Sequence, residues 1–137
     1  MKAYLDSSSF AKRFIDETGS DKVEELCAKA TNLGLSVLCV PEIASALNRR
    51  RRERALTKRQ YEKAKHNLVE DVRDADIINL TASVVGSSIR VLETSPVRTL
   101  DALHVACALE WEADLFVSSD KRQLDAAKRV GLKIEKI

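Results

Sequence analysis

The sequence predicts an α/β domain in which helices cover both faces of a mostly parallel sheet of about five strands. Short apolar runs of strand length alternate with longer amphipathic segments along the whole chain, and strands separated by helices favour parallel pairing. Of the 137 residues, 45% are hydrophobic, which suits one buried core and leaves too little chain for two. We therefore predict one three-layer α/β/α domain over residues 1–137.

Capping residues, glycines and apolar periodicity divide the chain into elements. Ser20, Thr57 and Thr99 are typical helix caps, while Gly34 and Gly131 are typical helix stops. Continuous apolar runs such as LSVLCV are typical of strands covered on both faces. The predicted strands are residues 3–5, 35–40, 77–80, 115–117 and 132–134, and the predicted helices are residues 8–16, 21–32, 41–54, 57–72, 82–92, 100–111 and 121–130.

Composition excludes several classes of protein. No run of 18 residues lacks a charge, which argues against a membrane span, and Asp6 interrupts the segment where an export signal would need an apolar run. The three cysteines show no C-x-x-C spacing and are expected to be buried, reduced thiols of a cytoplasmic protein. With only two histidines, any hydrolytic chemistry must depend on carboxylates.

Four acidic residues are predicted to meet at one edge of the sheet. Asp6 directly follows the first strand, Glu42 lies two residues past the second, and Asp120 lies three residues past the fourth. Asp101 lies in the first turn of the helix that leads toward the fourth strand. In open parallel sheets, ligands bind outside the carboxyl ends of the strands. The sequence therefore places four carboxylates near one candidate site.

Two interpretations of these acids stay open. Asp6 and Asp120 suit helix N-caps, which occur at this same edge in α/β proteins. Asp101, however, lies in an almost uniformly apolar helix, where a buried carboxylate is costly unless it is paired or metal-bound. Since like charges repel, a hard divalent cation such as Mg²⁺ or Mn²⁺ would stabilise the cluster. Ser7 and Ser118 flank the site and could hold water there or act as caps.

A basic segment follows the predicted Glu42 helix. Residues 49–66 contain nine Lys and Arg against two Glu, a local charge of +7 in a chain whose net charge is +2. The segment could hold the phosphate backbone of a nucleic acid, or it could be an ordinary solvated face. The residues that would bind RNA are the consecutive arginines Arg49, Arg50, Arg51 and Arg52.

Four separated motifs resemble the PIN domain and, within it, the toxin ribonucleases of VapBC toxin–antitoxin pairs. They are YLDSSSFAKRF at residues 4–14, VPEIASAL at 40–47, RTLDALHVACALEWEADLFVSSDK at 98–121, and AAKRVGLKI at 126–134. The resemblance spans the whole chain and keeps the family's order of motifs. Residues 49–95 are similar to the family only in their helical layout.

The resemblance implies cleavage of RNA by an endonuclease that uses one or two Mg²⁺ or Mn²⁺ ions. Asp6, Glu42, Asp101 and Asp120 match the four acidic positions, with Asp6 and Asp101 expected to contact metal directly and the other two directly or through water. Ser118 lies where the family often has Thr or Ser. The resemblance also implies a VapB-type antitoxin as partner, and commonly a homodimer.

Three alternatives are weighed against this interpretation. A receiver domain would need paired acids near the phosphorylated Asp, whereas Asp6 stands alone, and a DxD phosphatase is disfavoured because residue 8 is Ser. An RNA-binding module that has lost catalysis is disfavoured by the presence of all four acids. His104 is interpreted as a hydrogen-bonded histidine rather than a base, and Trp111 as a packing anchor rather than a platform for stacked bases.

Overall fold

The computed structural model describes residues 1–137 as five strands and seven helices. No helix is both long enough and apolar enough to cross a membrane. The elements, in chain order, are β1 (Lys2–Leu5), α1 (Ser7–Ala11), α2 (Ser20–Lys29), β2 (Asn32–Ser36), α3 (Cys39–Arg52), α4 (Lys58–Val72), β3 (Asp76–Ile78), α5 (Ala82–Thr94), α6 (Thr99–Glu110), β4 (Leu115–Ser118), α7 (Lys121–Arg129) and β5 (Ile134–Lys136).

The strands form one fully parallel sheet in the order β3-β2-β1-β4-β5. The chain therefore builds outward from β1 to one side and then crosses to β4 on the other side of β1. Such a switch in strand order leaves a crevice at the carboxyl ends of the two central strands, here β1 and β4. The order also differs from the 2-1-3-4-5 order of receiver domains, so that alternative is wrong.

Alternating side chains of the central strands separate two apolar cores, one on each face. Ala3, Leu5 and Val117 face the first core, which α1, α2, α3 and α4 cover. Tyr4 and Phe116 face the second core, which α5, α6 and α7 cover. The period of two along a strand produces this division, and it confirms the predicted three-layer architecture.

Several predicted boundaries hold. Thr57 caps α4 through a full capping box with Gln60. One face of α4 buries Ala64 and Leu68 in the first core. Gly131 has a φ of +94° directly after α7 and ends that helix as predicted.

The second strand begins and ends earlier than predicted. Gly34, expected to stop a helix, lies inside β2 and pairs with Tyr4, because α2 already ends at Lys29. The predicted strand 35–40 contains the end of β2 and the start of α3. Both halves are apolar because Leu35 and Cys39 are buried in the same core, so hydrophobicity alone could not separate them.

Other boundaries shift by a few residues. The first helix ends at Ala11 rather than at residue 16, and turns follow it. The cap of α2 is Gly19 rather than Ser20, and the cap of α6 is Arg98 rather than Thr99. The last strand is Ile134–Lys136 rather than 132–134, because Leu132 instead packs into the second core.

Candidate active site at the carboxyl edge of the sheet

Three of the four predicted acids line one open cleft of about 950 Å³, which we name the acidic cleft. Asp101 enters it from the first turn of α6 and Asp120 from the N-cap of α7, while Glu42 enters from the first turn of α3. Asp6 is only 5% exposed and does not line this cleft. The acidic cleft is lined by Glu42, Pro96, Val97, Arg98, Thr99, Leu100, Asp101, Asp120, Lys121 and Arg122.

The Asp6 carboxylate is held at the switch point by residues from β4 and α1. Its Oδ1 accepts a hydrogen bond from the Ser9 backbone N–H at 2.9 Å, so it does cap α1. Its Oδ2 accepts hydrogen bonds from the hydroxyls of Ser118, at 2.8 Å, and Ser8, at 3.0 Å. Capping therefore uses one oxygen of this carboxylate, while the second oxygen is oriented by side chains of two different elements.

Glu42 is paired with a histidine that lies 62 positions away in sequence. Its Oε1 is 2.7 Å from Nε2 of His104 and accepts a hydrogen bond from the Ser7 hydroxyl at 2.8 Å. Burial acts to raise the pKa of Glu42, but the hydrogen bonds from Nε2 of His104 and from the Ser7 hydroxyl outweigh it and lower that pKa. Glu42 is therefore stabilised as a carboxylate without a metal ion.

Asp101 is the least compensated of the four acids. Partial burial raises its pKa, and the negative charges of Asp120 and Asp6 raise it further. His104 and the Arg98 backbone act in the opposite direction without cancelling the effect. Of the two acids that repel Asp101, Asp120 therefore has the larger effect on its pKa and Asp6 the smaller.

Asp120 both caps the N-terminus of α7 and lines the acidic cleft. Its Oδ1 accepts hydrogen bonds from the backbone N–H groups of Arg122, at 2.9 Å, and Gln123, at 3.4 Å. Its own backbone N–H donates to the Ser118 hydroxyl at 3.0 Å. Since Ser118 also contacts Asp6, one buried serine links the acids that follow β1 and β4.

The donor atoms of the site suit a hard divalent cation, but they are not gathered into a closed metal cage. Carboxylate and hydroxyl oxygens are the ligands that Mg²⁺ and Mn²⁺ prefer. No three His, Cys, Asp or Glu side chains lie close enough together to hold a metal ion among themselves. The arrangement therefore fits an ion such as Mg²⁺, which is usually bound by one or two carboxylates and keeps several waters.

Cationic side chains border the acidic cleft. Arg98, Lys121 and Arg122 line it together with the acids. They stand beside Asp101 and Asp120 in sequence, so their places at this edge follow from those of the acids. A cleft that both acids and cations line suits a polyanion whose reacting group lies at the acids.

A second cleft of about 550 Å³, which we name the apolar cleft, lies on the other side of Glu42. Arg49 lines it from the last turn of α3, and Leu100 borders both clefts. Its lining residues are Ser7, Ser8, Ala11, Leu38, Pro41, Glu42, Ile43, Ser45, Ala46, Arg49 and Leu100. Glu42 is thus shared by a polar cleft and a largely apolar one.

The four consecutive arginines have different surroundings. Arg49 lines the apolar cleft, whereas Arg50 forms an ion pair with Glu17 at 3.3 Å. The guanidinium of Arg51 lies 5.4 Å from the centre of the Tyr61 ring, and Arg52 is exposed. Of the four, only Arg49 lines a cleft together with one of the four predicted acids.

The remaining predicted side chains occupy structural positions. Trp111 packs over Gly34, where a Cβ would lie 2.6 Å from the ring, and its Nε1 donates to Asp76 at 3.2 Å. It is a packing anchor, as expected. The cysteines are free thiols, of which two are buried and Cys27 is only partly buried. Burial raises the pKa of the Cys39 thiol to about 12, so that thiol stays protonated.

Comparison with known proteins supports one family. The sequence model of the PIN domain matches residues 3–129. Among curated protein sequences, none is significantly similar to the chain.

Solved structures with the same fold include several toxin–antitoxin proteins. VapBC2 of Rickettsia felis, bound to a DNA fragment from its promoter, matches with 16% identity and a TM-score of 0.70, covering 100% of this chain and 99% of that one. VapBC-1 of nontypeable Haemophilus influenzae matches with 11% identity and a TM-score of 0.72, covering 99% and 98%. VapC20 of Mycobacterium tuberculosis, described as a toxin that cleaves the sarcin–ricin loop, matches with 16% identity and a TM-score of 0.69, covering 95% of each chain.

Proposed function

Because the chain belongs to the PIN domain family, we propose that it is a metal-dependent endoribonuclease that hydrolyses phosphodiester bonds in RNA. The observation that supports this most is that Glu42, Asp101 and Asp120, which enter from three different helix N-termini, line one cleft at the carboxyl edge of the sheet. Asp101, whose pKa is raised by partial burial and by the negative charge of Asp120, would gain stability when a cation binds beside it.

Asp6 and Asp101 would contact the metal directly, and Glu42 and Asp120 would contact it directly or through water. One or two Mg²⁺ or Mn²⁺ ions, when bound, supply a Lewis acid for attack of water on phosphorus. Ser118 holds the Oδ2 oxygen of Asp6, and Ser7 holds the Oε1 oxygen of Glu42. These two hydroxyls therefore orient the carboxylates of Asp6 and Glu42 and limit their rotation.

The cations around the site would hold the RNA backbone. Arg98, Lys121 and Arg122 border the acidic cleft, and Arg49 lines the adjoining apolar cleft. A strand that crosses Glu42 from one cleft to the other would meet positive charge on both sides of the reacting phosphate. Such contacts position a nucleic acid without reading its bases.

We further propose that the protein is the toxin of a type II toxin–antitoxin pair, held by a VapB-type antitoxin and assembled as a homodimer. The supporting observation is that the fold matches toxin–antitoxin proteins over nearly the full length of both chains. Co-expression with an antitoxin encoded beside it should yield a stable complex, and sedimentation should give the mass of two toxin chains in the absence of antitoxin.

Cleavage of RNA in the presence and absence of divalent metal tests the enzymatic proposal. Purified protein should produce discrete RNA fragments with Mg²⁺ or Mn²⁺ and none with EDTA. The alternative is a catalytically silent RNA-binding PIN module. It would give RNA binding that is equal with metal and with EDTA, and no fragments in either condition.

A further inference from the structure

His104 lies at the centre of a buried hydrogen-bonded chain that the proposed reaction does not otherwise use. It is 3% exposed within α6, and both ring nitrogens have partners. Nδ1 lies 2.8 Å from the Tyr4 hydroxyl, and Nε2 lies 2.7 Å from Oε1 of Glu42. These hydrogen bonds therefore connect Tyr4 in the second core to Glu42, an acid of the candidate site.

The chemistry of the partners decides which atom donates and which accepts in each hydrogen bond of His104. A carboxylate oxygen only accepts hydrogen bonds, so Nε2 of His104 must carry the proton that is shared with Glu42. In a neutral imidazole Nδ1 is then the acceptor, and the Tyr4 hydroxyl is its donor. Tyr4 is itself held by packing, because it is fully buried and its ring stacks on Phe116 with the two ring centres 5.6 Å apart.

Both donors to Glu42 act on the same oxygen. The Ser7 hydroxyl and the His104 Nε2–H converge on Oε1, while no group of the protein forms a hydrogen bond with Oε2. We propose that His104 is a positioning residue, locked by Tyr4, which occupies Oε1 of Glu42 and leaves Oε2 as the oxygen offered to a metal ion or its water. This inference rests on the proposed nuclease function.

The hydrogen bonds of His104 can be tested on metal-free protein. In ¹⁵N NMR of the imidazole, His104 should be the tautomer protonated on Nε2, and the exposed His66 supplies an internal comparison. In Tyr4→Phe, which keeps the ring and its stacking, His104 should keep this tautomer because Glu42 still accepts from Nε2, while the Nδ1 resonance should shift because that nitrogen loses its donor. A His104 that is protonated on Nδ1 alone in the unmodified protein would overturn the proposal.

The kinetics of RNA cleavage test whether the positioning of Glu42 by His104 affects catalysis. His104→Leu should lower kcat for RNA cleavage by about 10–100-fold with KM nearly unchanged, as for other residues that orient metal ligands. His104→Gln should recover most of that loss, because its amide carries an N–H close to the position of Nε2. A Gln variant as impaired as Leu, or a Leu variant as active as the unmodified enzyme, would contradict positioning by this hydrogen bond.

Metal affinity separates this inference from the function on which it rests. If the unmodified protein binds Mn²⁺ but cleaves no RNA, the proposed activity fails while His104→Leu should still weaken Mn²⁺ binding by about 10–100-fold. Equal Mn²⁺ affinity in both proteins would overturn the role of His104. If neither cleavage nor Mn²⁺ binding occurs, the proposed function fails. The tautomer of His104 then decides whether the hydrogen bonds from Tyr4 through His104 to Glu42 exist as described.

Discussion

The Ser118 hydroxyl lies 2.8 Å from Oδ2 of Asp6 and joins the carboxyl ends of the two central strands. The contact follows from the register, in which Leu5 of β1 pairs with Val117 of β4, so the next residue of each strand emerges at the same edge. Ser118 is fully buried, and its hydroxyl also lies 2.8 Å from Oε1 of Gln123. One hydroxyl therefore ties the candidate site to the core.

Ser118→Ala should lower both stability and activity. Removal of the hydroxyl leaves Oδ2 of the buried Asp6 without the single proton that Ser118 donates, which should cost about 1–3 kcal/mol in the free energy of unfolding. Urea denaturation measures that cost. Ser119→Ala is the matched control, since Ser119 is only partly buried and makes one long contact with Ser8. Equal stability of the two variants would show that the Ser118 bridge contributes nothing.

Asp101→Asn should raise the melting temperature of the metal-free protein by a few degrees at neutral pH. The substitution removes a charge that Asp120 and Asp6 repel, and it should also abolish stabilisation by Mg²⁺. Thermal denaturation with and without metal checks both effects. A lower metal-free melting temperature with an intact response to Mg²⁺ would instead favour the interpretation of these acids as caps.

The effect of Asp101→Asn should depend on pH in a defined direction. Since the pKa of Asp101 is raised by folding, the unfolded chain releases this proton first, and the residue costs stability as the pH rises above the ordinary range of Asp. The contribution of Glu42 to stability depends on pH in the opposite direction. Folding lowers the pKa of Glu42, so its stabilising contribution is lost as the pH falls through that lowered pKa. The advantage of Asp101→Asn should therefore disappear in acid, and an advantage that is constant with pH would contradict the electrostatic explanation.

Arg49→Ala should weaken RNA binding more than Arg52→Ala does. Both residues lie in the last turn of α3, but only Arg49 lines the cleft beside Glu42. The loss of one phosphate contact should reduce the slope of log K against log salt by about 0.7–0.9. Binding measured at several salt concentrations with an inactive enzyme supplies the slopes. Identical slopes for both variants would mean that the strand does not pass Arg49.

Two glycines should respond oppositely to alanine. A Cβ at Gly34 would lie 2.6 Å from the Trp111 ring, and such overpacking should destabilise the fold by about 1–3 kcal/mol. A Cβ at Gly86 in α5 would meet nothing within 4 Å, so Gly86→Ala should stabilise the helix by about 0.5–1 kcal/mol. Urea denaturation of both variants compares them, and a neutral Gly34→Ala would show that Trp111 can move away.

The layers of the fold and the edge that carries the acids could be predicted from the sequence, because they depend on periodicity and on the ends of strands. The place of Glu42 followed from its position after a buried strand, even though that strand ends earlier than expected. Local rules could not separate β2 from α3, since the residues of both are apolar for the same reason, burial in the first core.

Contacts between distant residues could not be predicted. Glu42 meets His104 across 62 positions, and Trp111 covers Gly34 from the far end of α6. Nothing near Arg50 in the sequence indicates its ion pair with Glu17, so the basic segment appeared as one surface although its members differ. Such pairings are fixed by the order of strands in the sheet, for which the sequence gives no local signal.

Cleavage of mixed cellular RNA by the purified protein and by Asp6→Asn, with Mg²⁺, Mn²⁺ or EDTA, tests the central claim most directly. Asp125→Asn is the control, because Asp125 is an exposed carboxylate of α7 that does not line the acidic cleft. The account predicts discrete fragments that require metal, disappear in Asp6→Asn and persist in Asp125→Asn. Fragments that persist in Asp6→Asn, or no cleavage and no stabilisation by metal in the unmodified protein, would contradict it.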